Sequence, residues 1–271
     1  MTGNEPAKLI PEAIYGMIKC LKTHWELIFM SGHNKWTTIK HKKEKTDAAR
    51  AKVFTKIGKE ITIAVKESGP DPVSNSKLRD LIAKAKANNV PNDNIERTIK
   101  KAAGSGNVSY EEITYEGYGP SGVAVIVEAT TDNRNRTAGN IRACFSKYHG
   151  NLGQTGCVSF MFDEKGVIEI NDEDGDIDED KLMETALEAG ASDFEGEEGF
   201  YTIYTEPDDL IAVAEALEAA GYKPSSADRA KVPQTTVDLE NEDDIKFMGL
   251  LIEKLEDDDD VMNVYHNWGN A

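Results

Sequence analysis

Two short stretches of this 271-residue chain concentrate the side chains best suited to gripping phosphate. The first runs from Ser31 to Lys45 and reads SGHNKWTTIKHKKEK. Its lysines Lys35, Lys40, Lys42, Lys43 and Lys45 can neutralise phosphates and release condensed counterions. His33 and His41 lie among them, and Trp36 offers a ring face for base stacking or a wedge. Arg50, Lys52, Lys56 and Lys59 continue the charge into the segment that follows. An alternative is compatible with this: Trp36 anchors the arm to a core and the lysines are simply solvated. The second stretch is Asp132-Asn133-Arg134-Asn135-Arg136-Thr137. Arg134 and Arg136 at the start of a helix could hold phosphate through guanidinium groups and free N–H groups. Helix capping plus internal ion pairing with neighbouring carboxylates is the competing account.

Other motifs fail on chemistry. Gly117-Tyr118-Gly119-Pro120-Ser121-Gly122 spells a dinucleotide-binding fingerprint, but that fingerprint must open a helix. Here the strand-like Val123-Ala124-Val125-Ile126-Val127 follows and Pro120 removes a donor, so a tight hairpin turn is expected. The run from Asp172 to Asp178 looks like a calcium loop, yet Ile177 stands where glycine is required and Met183 where the bidentate glutamate belongs. It reads as a solvated acidic loop capping the next helix, and Asp257 to Asp260 reads as a turn. The five histidines share no metal or catalytic spacing, and Cys20, Cys144 and Cys157 form neither a zinc site nor a disulfide framework. No enzyme, cofactor or metal is expected, and a reducing cytoplasm fits.

The elements that must position these groups follow from periodicity. Val53, Phe54, Ile57, Ile61, Ala64 and Val65 recur at three- and four-residue spacing over Thr46 to Ser68, one stripe of an amphipathic helix ended by Gly69-Pro70. Further helices are predicted over about 76–88 and 92–103. Residues 31–104 thus form a basic arm and a three-helix domain. The pattern then alternates. Strands are predicted around 113–115 and 123–130, a helix over 137–148, and strands 158–162 and 167–170 either side of an Asp163-Glu164-Lys165-Gly166 hairpin turn. A helix near 179–189, strands near 193 and 201–204, a helix over 207–220, a strand over 230–238, a helix over 242–256 and a strand over 261–266 complete the chain. The expected class is α+β, with a split domain of 105–156 and 225–271 enclosing an inserted unit of 157–224.

Net charge of −18 would by itself argue against a nucleic-acid partner. The charge is segregated, however: residues 31–104 hold 17 Lys+Arg against 8 Asp+Glu, while 105–271 hold 11 against 38. That asymmetry marks a part that meets a polyanion and a part that does not. No apolar run approaches the ~20 residues needed to cross a bilayer, so no membrane role is expected. Residues 1–30 lack the features of a signal or transit peptide. Trp25 and Glu26 back-translate to a purine-rich TGGGAR three codons before Met30, so Met30 is the expected start and 1–30 read as translated upstream sequence.

Met30-Ser31-Gly32-His33-Asn34-Lys35-Trp36 resembles the start of the YebC/PmpR family of regulatory proteins. The resemblance continues through Asp47-Ala48-Ala49-Arg50, Asp93-Asn94-Ile95-Glu96-Arg97, Tyr115 to Pro120, Thr131 to Thr137 and Gly150-Asn151-Leu152-Gly153. It spans residues 30 to 267. Departures are local: Asn34 for the usual Ser, Ala51 for a common Gly, Ser121 for a common turn Gly, and Tyr148-His149 before Gly150. The resemblance implies a helical N-terminal domain followed by two ferredoxin-like α+β domains, one inserted in the other. It also implies a cytoplasmic, DNA-binding regulator of transcription. Other members, mitochondrial relatives included, resemble translation factors that act on the ribosome, so ribosomal RNA is the rival partner. The oligomeric state is left open, with a monomer as the working expectation.

Overall fold

The computed structural model describes residues 47–104, 110–172, 175–197 and 199–271, excluding the side chains of residues 47–51, 87 and 197. Three helices come first: α1 (Asp47–Ser68), α2 (Ser76–Ala87) and α3 (Asn92–Ala103). The stripe read from sequence is their core, with Ile57, Ile61, Ala64 and Val65 of α1 packed on Leu78, Ala85, Ile95 and Ala102. Asn75 joins the first two helices. Its side-chain oxygen accepts from the Leu78 N–H, capping α2, while its amide donates to the carbonyls of Ala64 and Gly69, both at 2.8 Å.

Two antiparallel sheets follow. The first contains β1 (Glu111–Tyr118), β2 (Ala124–Thr131), β3 (Asn151–Leu152) and β8 (Val261–His266) in the order β3-β1-β2-β8. Helices α4 (Arg134–Lys147) and α7 (Glu242–Glu256) cover one face, where Val125, Val127, Ile141, Phe145, Met248 and Leu251 interlock. The second sheet contains β4 (Phe162–Asn171), β5 (Asp193–Glu197), β6 (Phe200–Thr205) and β7 (Pro224–Pro233). With α5 (Glu179–Ala189) and α6 (Leu210–Ala219) it runs β-α-β-β-α-β in the order β5-β6-β4-β7, the ferredoxin-like arrangement. A third apolar cluster, including Ala124, Ile126, Val158, Phe162, Val167 and Tyr265, lies between the sheets. It explains why Val123 to Val127 is a continuous apolar run: β2 is buried on both faces.

Two expectations are corrected. Residues 163–166 are not a hairpin turn. They lie inside the unbroken β4, paired with Arg229 to Val232 of β7. Asp163, Glu164 and Lys165 are turn-like in composition, but their backbone groups are satisfied by a strand more than sixty residues away, which local reading cannot register. Gly166 is needed for close approach: a Cβ there would collide with the Thr205 hydroxyl and lie 2.9 Å from Leu210 Cβ. Second, the strand expected over 230–238 in the outer domain is β7, which spans Pro224–Pro233 and pairs with β4 of the inserted unit along its length. Alternation identifies which face of a strand is buried and is silent about its partner.

The Gly117 to Gly122 segment is the expected hairpin connection, with the Gly119 N–H donating to Val123 O at 2.7 Å. Ser121 accepts the left-handed conformation at φ 53° and donates its hydroxyl to Asp244 at 2.6 Å. The Asp172 loop is held by its own carboxylate, which accepts from the N–H groups of Asp176 and Ile177, and Asp178 caps α5.

Candidate nucleic-acid interface

His33, Lys35, Trp36, Lys40, His41, Lys42, Lys43 and Lys45 lie outside the described residues, as does the expectation for residues 1–30; Arg50 is on α1 but its side chain is not described. The remaining candidates are Lys52, Lys56, Arg134 and Arg136.

Lys52 and Lys56 lie on the α1 face opposite the helical core, and that face meets the body of the protein. Lys52 Nζ is 2.7 Å from Asp257 Oδ1, and Lys56 Nζ donates to the Met262 carbonyl at 3.3 Å. Burial lowers the Lys56 pKa, opposed by the nearby Glu256 carboxylate. One turn on, Lys59 is buried and donates to the carbonyls of Thr130 and Asp259 at 3.1 and 2.7 Å and to Asp260 Oδ1 at 2.8 Å. On α2, Lys84 pairs with Asp228 of β7 at 2.9 Å. The basic face of the helical unit thus rests on carboxylates of the acidic body.

Asp257 to Asp260 is the socket. Asp257 takes Lys52 and Lys254, which together lower its pKa to about 2. Asp258 accepts from the Asn140 amide at 3.2 Å and from the Asp260 N–H at 2.9 Å. Asp260 is buried, and its Oδ2 accepts from Arg136 at 2.7 Å, Thr137 at 2.8 Å and Thr131 at 3.2 Å. Burial pushes its carboxyl up, but the hydrogen bonds from Arg136, Lys59 and Thr137 outweigh this and hold it far below the usual carboxylate range. A single carboxylate therefore ties α1 to the start of α4. The run is the turn that its composition predicts; its role as a socket rests on lysines about two hundred residues away in sequence, for which no local signal exists.

The two arginines of the β2–α4 loop part company. Asn133 caps α4 by accepting from the Arg136 N–H at 3.1 Å. The Arg136 guanidinium donates to Asp132 at 2.8 Å as well as to Asp260, so the capping and ion-pairing account describes it. Arg134 is exposed on the first turn of α4, where its charge is felt by Tyr115. Among the described residues no group of three or more His, Cys, Asp or Glu side chains is placed to hold a metal ion, and no helix is long and apolar enough to cross a membrane.

Comparison with known proteins agrees with this architecture. Residues 34–105 match the family described as TACO1/YebC protein N-terminal domain, and residues 110–268 match TACO1/YebC second and third domain. A "Probable transcriptional regulatory protein" of Acetivibrio thermocellus is 60% identical over 240 residues, 88% of this chain and 99% of that protein. One of the same name from Lachnoclostridium phytofermentans is 57% identical over 240 residues, with the same shares of the two chains. The crystal structure of a conserved hypothetical protein from Aquifex aeolicus superposes with a TM-score of 0.77 at 45% identity, covering 85% of this chain and 94% of that one. The chain belongs to the TACO1/YebC family of regulatory proteins.

Proposed function

We propose that this protein is a non-enzymatic, nucleic-acid-binding regulator of gene expression that acts in the cytoplasm as a DNA-binding transcriptional regulator. The observation that carries the reading is the segregation of charge, with 17 basic against 8 acidic residues in 31–104 and 11 against 38 beyond it. The name carried by its relatives supports the regulatory role. In this reading the arm, His33 to Lys45, supplies the phosphate contacts and Trp36 the stacking surface, with Arg134 as an accessory cation. Arg50 extends the arm at the start of α1. Lys52, Lys56 and Arg136 are engaged inside the molecule and serve orientation first. The pairing of β7 with β4 supports an inserted unit that extends to residue 233, enclosed by 110–158 and 234–271.

One observation favours a second reading, a translation factor bound to ribosomal RNA. The α1 face is occupied and the body is strongly acidic, which leaves the arm as a short footprint and sets a repulsive field against a duplex lying along the molecule. A ribosome presents protein as well as RNA surfaces and would accommodate both.

Co-sedimentation of the protein with purified ribosomes, with duplex DNA as competitor across a salt series, separates the two. Stripping by duplex with a surviving DNA sequence preference supports the transcriptional reading; retention on ribosomes near physiological salt overturns it in favour of translation. Lys40→Glu, Lys42→Glu and Lys43→Glu together should weaken either binding and flatten its salt dependence. Unchanged binding and slope would remove the arm from the interface.

A further inference from the structure

The lysine face of the helical unit is matched to carboxylates in the way a phosphate-binding face is matched to phosphates. Lys52 meets Asp257 and Lys84 meets Asp228, with every partner between 37% and 43% exposed. Both pairs bridge the helical unit and the acidic body, in two places: the turn before β8 and the exposed side of β7. Among the described residues no shared apolar cluster backs them. The cluster of α1, α2 and α3 consists of residues from those helices and Val90 of the loop between the last two, and the clusters of the two sheets contain none of them. Among the described residues the contact between units is carried by ion pairs and by lysine bonds to backbone carbonyls, with Lys59 and, one turn on along the same face, Ile63 buried. Polar junctions of this kind are the ones that salt and competing charge open.

We infer that the exposed lysines of this face, Lys52 and Lys84, form an exchangeable polyanion surface: Asp257 and Asp228 occupy them in the free protein, and a nucleic-acid phosphate backbone takes their place when the protein binds. The inference rests on the nucleic-acid reading proposed above. A lysine held by an aspartate at 2.7 or 2.9 Å offers one exchangeable anion for another. Phosphate has the advantage of releasing its condensed counterions, while the body's own carboxylates have the advantage of proximity. The acidic body thereby subtracts from binding until a partner with dense enough negative charge displaces it. RNA and DNA share the chemistry, so both are probes.

The test uses the full chain and titrates a fluorescein-labelled single-stranded 20-mer RNA and a 20-base-pair DNA duplex over a salt series. Asp228→Asn with Asp257→Asn neutralises the two exposed competitors and leaves Lys59 and Asp260 untouched. Glu215→Gln with Glu218→Gln makes the same charge change on α6, away from every lysine named above. Both lysines engage phosphate in the bound wild type as well, so removing their two exposed competitors should tighten binding about five- to tenfold at low salt while leaving the log–log salt slope nearly unchanged. The α6 variant should gain little. Because Asp257 also holds Lys254 at 2.9 Å, Lys254→Gln is placed in every protein compared, and adding Lys52→Gln and Lys84→Gln to the Asp228/Asp257 variant should then abolish the gain. An equal gain in the α6 variant, or a gain that survives loss of the two lysines, overturns the inference while leaving nucleic-acid binding in place. If neither wild type nor any variant binds either probe at low salt, the nucleic-acid reading falls and takes the inference with it.

Discussion

Asp260→Asn is the perturbation that most directly tests how the helical unit is held. The carboxylate is 6% exposed and serves four donors, of which Lys59 is itself only 9% exposed. An asparagine keeps the volume and one acceptor, but its amide must face either Lys59 or the Arg136, Thr131 and Thr137 group, and the anion is gone. Lys59 retains the carbonyls of Thr130 and Asp259, so it is under-compensated and not bare. Breaking a buried pair from one side costs about 3–5 kcal/mol, and the retained carbonyls place this case near 3. For a chain of this size that corresponds to a melting temperature lower by about 6–12 °C. Calorimetry at pH 7 on wild type, Asp260→Asn, Lys59→Met and the double variant measures it, and the double variant should recover about 2 kcal/mol relative to the sum of the singles. The sign with pH is also set. The folded carboxyl titrates far below its unfolded value of about 3.9, so its contribution is complete above that value and fades as pH falls through the range beneath it. The gap between wild type and Asp260→Asn should therefore narrow only below about pH 4. A loss under about 1 kcal/mol, or additive singles, would refute the account of Asp260 as the node that joins α1 to α4.

Two further outcomes are expected. His266 is fully buried, its Nδ1 accepting from the Trp268 N–H at 3.3 Å, and burial lowers its pKa to about 4. The unfolded chain takes up that proton near pH 6.5, so stability should drop by about 3 kcal/mol between pH 6.5 and 4, and His266→Asn should flatten the slope in denaturant titrations over that window. Glu116 is buried and accepts from the N–H groups of Gly156, Val158 and Ser159 at 2.7 to 2.9 Å, pinning the loop that leads from the first sheet into β4. Glu116→Gln should cost about 2–4 kcal/mol and speed amide exchange at those three positions; exchange rates that stay at wild-type values would show that the loop is held by something else.

Much of the element list was legible because it is written in local periodicity. The α1 stripe, the α3 span from Asn92 to Ala103 and the strand of Val261 to His266 need only neighbours within a turn or two to declare themselves. The continuous apolar run of β2 similarly announced a strand with no solvent face. Errors occurred where the deciding contact was distant. Asp163 to Gly166 looks like a turn until β7 is placed beside it, and β7 looks like part of the outer sheet until β4 claims it.

The candidate interface divides along the same line. Composition alone determined that the chain has a basic N-terminal part and an acidic remainder, and residue type alone determined that the arm and the Arg134 loop carry phosphate-binding groups, since charge and hydrogen-bonding capacity belong to side chains whatever the fold. Which of those cations are already engaged was a tertiary decision. Lys52, Lys56 and Arg136 are identical in sequence terms to any other lysine or arginine, and their occupation follows from a four-aspartate turn and the start of β8, about two hundred residues from α1 and about 120 from Arg136. Coulomb attraction falls with distance through space and takes no account of separation along the chain, so only the folded chain decides which charges meet.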